Sequence, residues 1–373
     1  MIAAGVHCIT LLGAHAYRCL SMLIDAYRML IGYACTGLEL RMLCPIPVFR
    51  YNLVRAADGR PLADAASWDT AAMLDGTLRG KTVVFVGDSM SAQQAFALRC
   101  QLAAVLSTAG TDFEIDAPDY AGWPGNPHRG GAFRMLVPRY NFSLVNMRRD
   151  TLDQNNQNGT GALNPEIAAT LARIAPDVAV FHTGPHIWDA HYRPSTPAWV
   201  KRWFALFSGL SDLMRRGLPG TTFVVRFSGI PKHFRCAETA RPDQRPDGPR
   251  SYSAFDSRTQ HANCWVHWLQ AKLARRALRG AADIVFDPWQ IDFHRADAHR
   301  GGASSDCLHY CLPSVPLFWN VMLFGQLLAA NVSTCDDLHA LADVCAGPRN
   351  VWPIEAYIDS DTIAAFNTVM APP

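Results

Sequence analysis

The sequence predicts an α/β fold, a mostly parallel sheet covered by helices on both faces. Short β-branched apolar runs of strand length alternate with longer helical segments from Lys81 onward. Those runs read as strands buried on both faces, the signature of a parallel sheet. The composition agrees, since 49% of the 373 residues are hydrophobic and 18% charged, enough apolar surface for a large core. The 34 Lys and Arg against 32 Asp and Glu leave a formal charge of +2, which removes the electrostatic case for a nucleic-acid binder.

Residues 1–44 stand apart as an apolar amino-terminal segment with no formal charge before Arg18. Asp25, Arg28 and Glu39 then interrupt it, so no run reaches the roughly 18 to 20 uncharged residues of a membrane span. A signal anchor, an amphipathic helix packed on the domain and a misassigned start of translation are the three readings it allows. Residues 45–80, broken by Pro45, Pro47, Gly59 and Pro61, read as an irregular lead-in. The regular part is 81–345, expected to be one catalytic domain, with 346–373 as a carboxy-terminal tail.

Within that domain TVVFVGDS (82–89) reads as a buried strand ending in a turn, and Ser91 as the cap of a helix through AQQAFALRCQLAAVL. Residues 142–147, 177–184, 221–229 and 282–289 are further strands. Residues 165–174, 197–217, 261–280 and 316–331 are the helices between or after them. Two long polar loops, 116–131 and 235–259, are rich in Pro and Gly, as functional or disordered loops are.

Chemistry concentrates at two places. Gly87-Asp88-Ser89 lies where a strand gives way to a helix, which puts a hydroxyl at the carboxyl edge of a parallel sheet, where α/β ligand sites form. The backbone N–H groups of the helix point at the same spot and suit a developing oxyanion. A hydroxyl needs a base, and the base an orienting partner. Asp306-Cys307-Leu308-His309 supplies such a pair on one tight turn. Either motif alone is weak, but their order along the chain matches the SGNH hydrolase plan.

The flanks sharpen the match. LRGKTVVFVGDSMSAQQ (78–94) and DCLHYCLPSVPLFWNVML (306–323) resemble the trichome-birefringence-like family of polysaccharide O-acetyltransferases, a branch of the PC-esterase group. The second block keeps Asp306, Cys307, His309, Cys311, Leu312, Pro313, Trp319 and Asn320, with Tyr310 at the family's tryptophan and Ser314 at its glycine. RADAHRGGASSDC (295–307) also resembles the family's segment upstream of that block. DVAVFHTGPHIW (177–188) and TTFVVRFSGIPKHF (221–234) are looser, and His182 stands where the family has asparagine.

The resemblance implies an SGNH-hydrolase-like, flavodoxin-like three-layer α/β/α sandwich with a triad of Ser89, His309 and Asp306. Ser89 would carry the acyl group, His309 act as base and then acid, and Asp306 fix its tautomer. The backbone N–H groups of Ser89 and Gly184, with the His182 side chain, are the oxyanion-hole candidates. Asp88, Arg226, His233, Trp123 and Trp188 are the substrate-binding candidates. No cofactor is expected to be bound. An acetyl donor, acetyl-CoA or another acyl donor, would be a co-substrate, and a polysaccharide or oligosaccharide the acceptor. A Golgi or other secretory-pathway lumen is the implied location, with 1–44 as a single type II membrane anchor.

Each feature also has a plain structural reading: Ser89 as a helix cap, Asp306 and His309 as a surface ion pair, His182 as a core histidine. The cluster Cys307, His309 and Cys311, and the set His261, Cys264 and His267, have zinc-like spacing but no clear fourth ligand. Of three N-x-[ST] sequons, at Asn141, Asn158 and Asn331, only Asn158 lies in a polar loop. Three functions fit: an O-acyltransferase acting on glycans, an O-acyl esterase using the same triad with water, and a catalytically silent glycan-binding protein. The 11 cysteines favour disulfide staples. In that reading Cys307 or Cys311 pairs with one of Cys44, Cys100, Cys236, Cys264, Cys335 and Cys345.

Overall fold

The structure is a computed structural model that describes residues 70–116, 132–149, 152–153, 161–184, 196–227, 258–289, 292, 308–310, 315–327, 342, 345–346 and 353–371. In strand β1 (Thr82–Gly87) Val83 and Phe85 face one core and Val84 and Val86 another, all four fully buried. Alternating side chains that are all apolar force a layer of helices onto each face.

β1 pairs in parallel with β4 (Phe142–Arg148) on one side and β5 (Val178–His182) on the other. β6 (Thr222–Arg226) and β7 (Ile284–Phe286) continue the parallel run beyond β5. On the far side β3 (Phe133–Val137) is antiparallel to β4, and β2 (Glu114–Asp116) to β3. The seven-stranded sheet therefore has the order β2-β3-β4-β1-β5-β6-β7. Its five parallel strands follow the doubly wound plan, with the reversal of strand order between β1 and β5.

Helices α1 (Thr70–Asp75), α2 (Ser89–Thr108) and α6 (Val315–Leu327) cover one face and share its core with Phe85, Leu144 and Val180. Helices α3 (Pro165–Ile174), α4 (Pro197–Arg216), α5 (Arg258–Leu278) and α7 (Ser360–Met370) cover the other. Trp199, Trp203 and Phe207, spaced along one stripe of α4, stack into that core. Asn164 and Thr196 cap α3 and α4, each followed by a proline whose fixed φ and missing N–H suit a first helical turn. The α/β three-layer sandwich expected from the sequence is the fold observed.

Four details differ from expectation. Helix α2 begins at Ser89, and its cap is Asp88 where Ser91 was expected. A carboxylate is the stronger cap here because it accepts from two backbone N–H groups at once. Strands β2 and β3 add an antiparallel edge. Residues 346–373 are more than a tail: Ser360–Met370 form α7, which puts Phe366 against Trp268 on α5. Cys264 and Cys345, expected as partners of Cys307 or Cys311, are joined to each other. Cys100 is also disulfide-bonded. The amino-terminal segment and most of the lead-in lie outside the described residues, as do both long loops apart from Asp116 and Arg258–Thr259. Among the described residues no helix is long and apolar enough to cross a membrane.

Candidate active site

Gly87 is the last residue of β1 and the register partner of His182 at the end of β5. A Cβ at Gly87 would come within 2.1 Å of the His182 carbonyl oxygen and 2.9 Å of the Ser91 Cβ. Only glycine lets the two strand ends approach this closely as the chain turns into α2. Ser89 and Gly184 each lie two residues beyond that same rung. The topology thus brings both backbone candidates for the oxyanion hole to the sheet edge where strand order reverses.

Asp88 is fully buried, and its Oδ1 accepts from Met90 N–H at 2.9 Å and from Ser91 N–H at 3.4 Å. That carboxylate thereby takes two donors of the first turn and leaves the Ser89 N–H directed out of the helix end. His182 Nδ1 lies 3.0 Å from Asp88 Oδ1, with both side chains sealed from solvent. Ser89 sits at the surface of this arrangement, 7% exposed, and its Oγ is 2.7 Å from His309 Nε2. The two residues are 220 positions apart in the chain, yet within hydrogen-bond reach.

A buried polar network lies behind the pair. Arg226, at the end of β6, is 1% exposed and stacks its guanidinium 4.0 Å from the centre of the Trp319 ring. Burial pulls the Arg226 pKa down to about 10, against the opposing pull of Asp292, Asp88 and Asp287. Trp319 Nε1 donates to Asp292 Oδ1 at 2.8 Å, and Tyr310 meets the Trp319 ring edge-on at 5.6 Å. Next to it His267 Nε2 lies 3.0 Å from Asp287 Oδ2, both buried.

These positions bear on the sequence readings. Asp88 and Arg226, candidates for substrate contact, are buried, one as a helix cap and the other stacked on Trp319. His182, the side-chain candidate for the oxyanion hole, is buried with its Nδ1 beside the Asp88 carboxylate. The zinc-like set fails because Cys264 is in a disulfide and His267 faces Asp287. Among the described residues no group of His, Cys, Asp and Glu could hold a metal ion. Asp306, Trp123, Trp188 and His233 lie outside the described residues.

Sequence reasoning missed Gln93 and Asn320. Gln93 bonds twice to the backbone of Tyr310, beside His309, and Asn320 Nδ2 donates to the Gln94 carbonyl at 3.1 Å. The signal was available. Gln93 and Gln94 interrupt a helix that is otherwise apolar nearly all round, and polar side chains buried there need partners.

A serine at the helix N-terminus, a histidine on its hydroxyl and the reversal in strand order together define an α/β enzyme of the SGNH type. Residues 66–190 match the PC-Esterase family, described as the GDSL/SGNH-like acyl-esterase family found in Pmr5 and Cas1p. It is 24% identical over 281 residues to protein trichome birefringence-like 42 of Arabidopsis thaliana, over 67% of this chain and 72% of that protein. It is 24% identical over 313 residues to xylan O-acetyltransferase 2 of Oryza sativa subsp. japonica, over 68% of this chain and 56% of that protein. It is 22% identical over 314 residues to protein trichome birefringence-like 9 of Arabidopsis thaliana, over 73% and 71% of the two chains.

Proposed function

We propose that the protein is an O-acetyltransferase that moves an acetyl group through Ser89 onto a hydroxyl of a polysaccharide or oligosaccharide. The observation that carries this reading is the 2.7 Å Ser89 Oγ to His309 Nε2 contact at the amino terminus of α2. Its relatives named as xylan O-acetyltransferases support the acetyl group and the glycan acceptor.

In the first half-reaction His309 Nε2 takes the Ser89 proton as Oγ attacks the carbonyl carbon of the acetyl donor. The negative charge that develops on the carbonyl oxygen is met by the Ser89 and Gly184 N–H groups and the positive end of a 20-residue helix. Collapse expels the donor's leaving group, which receives the proton from His309, and leaves Ser89 acetylated. In the second half-reaction a glycan hydroxyl gives its proton to His309 and attacks the same carbonyl. The acetyl ester passes to the glycan and Ser89 Oγ recovers a proton. Asp306, three residues before His309 in the sequence, would hold the ring and balance its positive form.

We assign the protein to a secretory-pathway lumen. The Cys264–Cys345 disulfide and the disulfide at Cys100 support an oxidising compartment.

Mass spectrometry of an oligosaccharide panel incubated with an activated acetyl ester and the protein tests the reading. Wild type adds one acetyl group, about 42 Da, to at least one acceptor, and Ser89→Ala adds none. Acetate release that acceptors leave unchanged would make the protein an esterase, with water as the second nucleophile.

A further inference from the structure

We propose that Gln93 is the positioning residue of His309, an amide clamp that holds the ring at bonding distance from Ser89. This inference rests on the reading of Ser89 and His309 as the reacting pair.

Ser89 and Gln93 are four residues apart on α2, so they rise from one face of one rigid helix. Gln93 Nε2 donates to the Tyr310 carbonyl at 2.6 Å, and Gln93 Oε1 accepts from the Tyr310 N–H at 3.1 Å. That N–H belongs to the peptide bond joining His309 to Tyr310. The clamp therefore grips the backbone immediately beside the ring. The amide can point only one way, because its NH2 must meet a carbonyl and its oxygen an N–H.

Residues 308–309 lie in a bend and Tyr310 in a single β-bridge. The clamp adds two side-chain bonds to that backbone. Gln93 is fully buried and Tyr310 is 1% exposed, so water does not compete for either bond. Tyr310 is held on its other side by the edge of Trp319, which Arg226 and Asp292 fix in turn. Serine and clamp thus share a helix, and the spacing of Ser89 from His309 is set by α2 itself. A drift of about 1 Å would break the contact and slow acylation by roughly a hundredfold.

The test is the rate of covalent labelling of Ser89 by a fluorophosphonate, with the rate at saturation (kinact) separated from the binding constant (KI). Gln93→Met keeps the side-chain volume and loses both bonds; its kinact is expected to fall about ten- to hundredfold with KI within about twofold. Gln93→Glu keeps the acceptor for Tyr310 N–H, so it recovers part of that loss. Asn320→Ala removes an equally buried bond to α2 that does not reach His309. It lowers the unfolding midpoint and leaves kinact within about twofold of wild type.

Wild-type labelling with Gln93→Met equally fast would overturn the clamp and spare the Ser89–His309 reading. So would an Asn320→Ala loss as large as that of Gln93→Met. If Gln93→Met does not fold, an unchanged kinact in Gln93→Glu overturns the clamp by itself. If wild type is never labelled at Ser89, the reacting pair is wrong and the clamp falls with it.

Discussion

Gly87 has no room for a side chain, and that fact locates the site more firmly than any charged residue does. An added methyl would lie 2.1 Å from the His182 carbonyl oxygen, which is backbone and cannot swing away. The strands β1 and β5 would have to part just before Ser89 and Gly184. Gly87→Ala is therefore expected to cost about 3 kcal/mol, read as a lowered urea midpoint, and to slow Ser89 labelling in the protein that still folds. An unchanged midpoint would mean the strand ends are farther apart than described. At this scale the sequence was legible where a residue type has few uses. Glycine, aspartate and serine at a strand end announce a turn and a nucleophile, and Asp-x-x-His announces a base. Gln93 was not legible in that way. A glutamine in a helix has many uses, and only the fold shows that this one meets Tyr310. The burial of Asp88 and Arg226 was not legible, since burial is a property of the packed molecule.

The elements divide by how much of their own stability they carry. β1, β4, β5, β6 and β7 were readable because each is an apolar run buried between two helical layers. β2 was not, since Glu114, Ile115 and Asp116 are all exposed and become a strand only by pairing with β3. Its cross-strand ion pair of Asp116 with Arg134 is itself exposed and contributes little. β3 has the alternating burial of a half-covered strand in Phe-Arg-Met-Leu-Val, a pattern its position after a long loop obscured. α7 carried its signals too: Ile363, Phe366 and Met370 fall on one side, and Asp359 precedes the first turn. Asp359 caps α7 by accepting from the Thr362 N–H and the Thr362 hydroxyl, each at 2.8 Å. The backbone bond from Thr362 leads the interactions that hold the Asp359 carboxyl below its ordinary pKa, against the opposing effect of burial. A depressed folded pKa means a contribution present above the ordinary aspartate range and lost as pH falls through the folded value. Hydrogen exchange of 360–370 should therefore quicken as pH falls below about 4, after correction for the intrinsic pH dependence of exchange. Asp359→Ala should exchange faster at neutral pH and respond less to acid. Equal exchange in variant and wild type at pH 7 would remove the cap from the account of α7.

The whole molecule joins what the chain keeps far apart. Ser89 follows the first strand of the parallel sheet and His309 precedes α6, so their contact spans 220 positions. It exists only when α2 is seated on the sheet, since Gln93 of α2 holds Tyr310 beside the histidine. The other face, with α3, α4, α5 and α7, holds its own large core and the disulfide between Cys264 and Cys345, which closes a separation of 81 residues. Such a cross-link restrains the unfolded chain more than it shapes the site. The two faces share one sheet, and every parallel strand contributes side chains to both cores, so neither face can lose its packing alone. The active pair should accordingly disappear together with the sheet and not before it. In a urea titration, Ser89 labelling and tryptophan fluorescence, to which Trp199, Trp203, Trp265 and Trp289 of the opposite core contribute, should fall with coincident midpoints. Labelling lost at clearly lower urea, with fluorescence intact, would show that the face bearing α2 and α6 opens as a separate unit. The Ser89–His309 contact would then rest on local bonds such as the Gln93 clamp more than on the shared sheet.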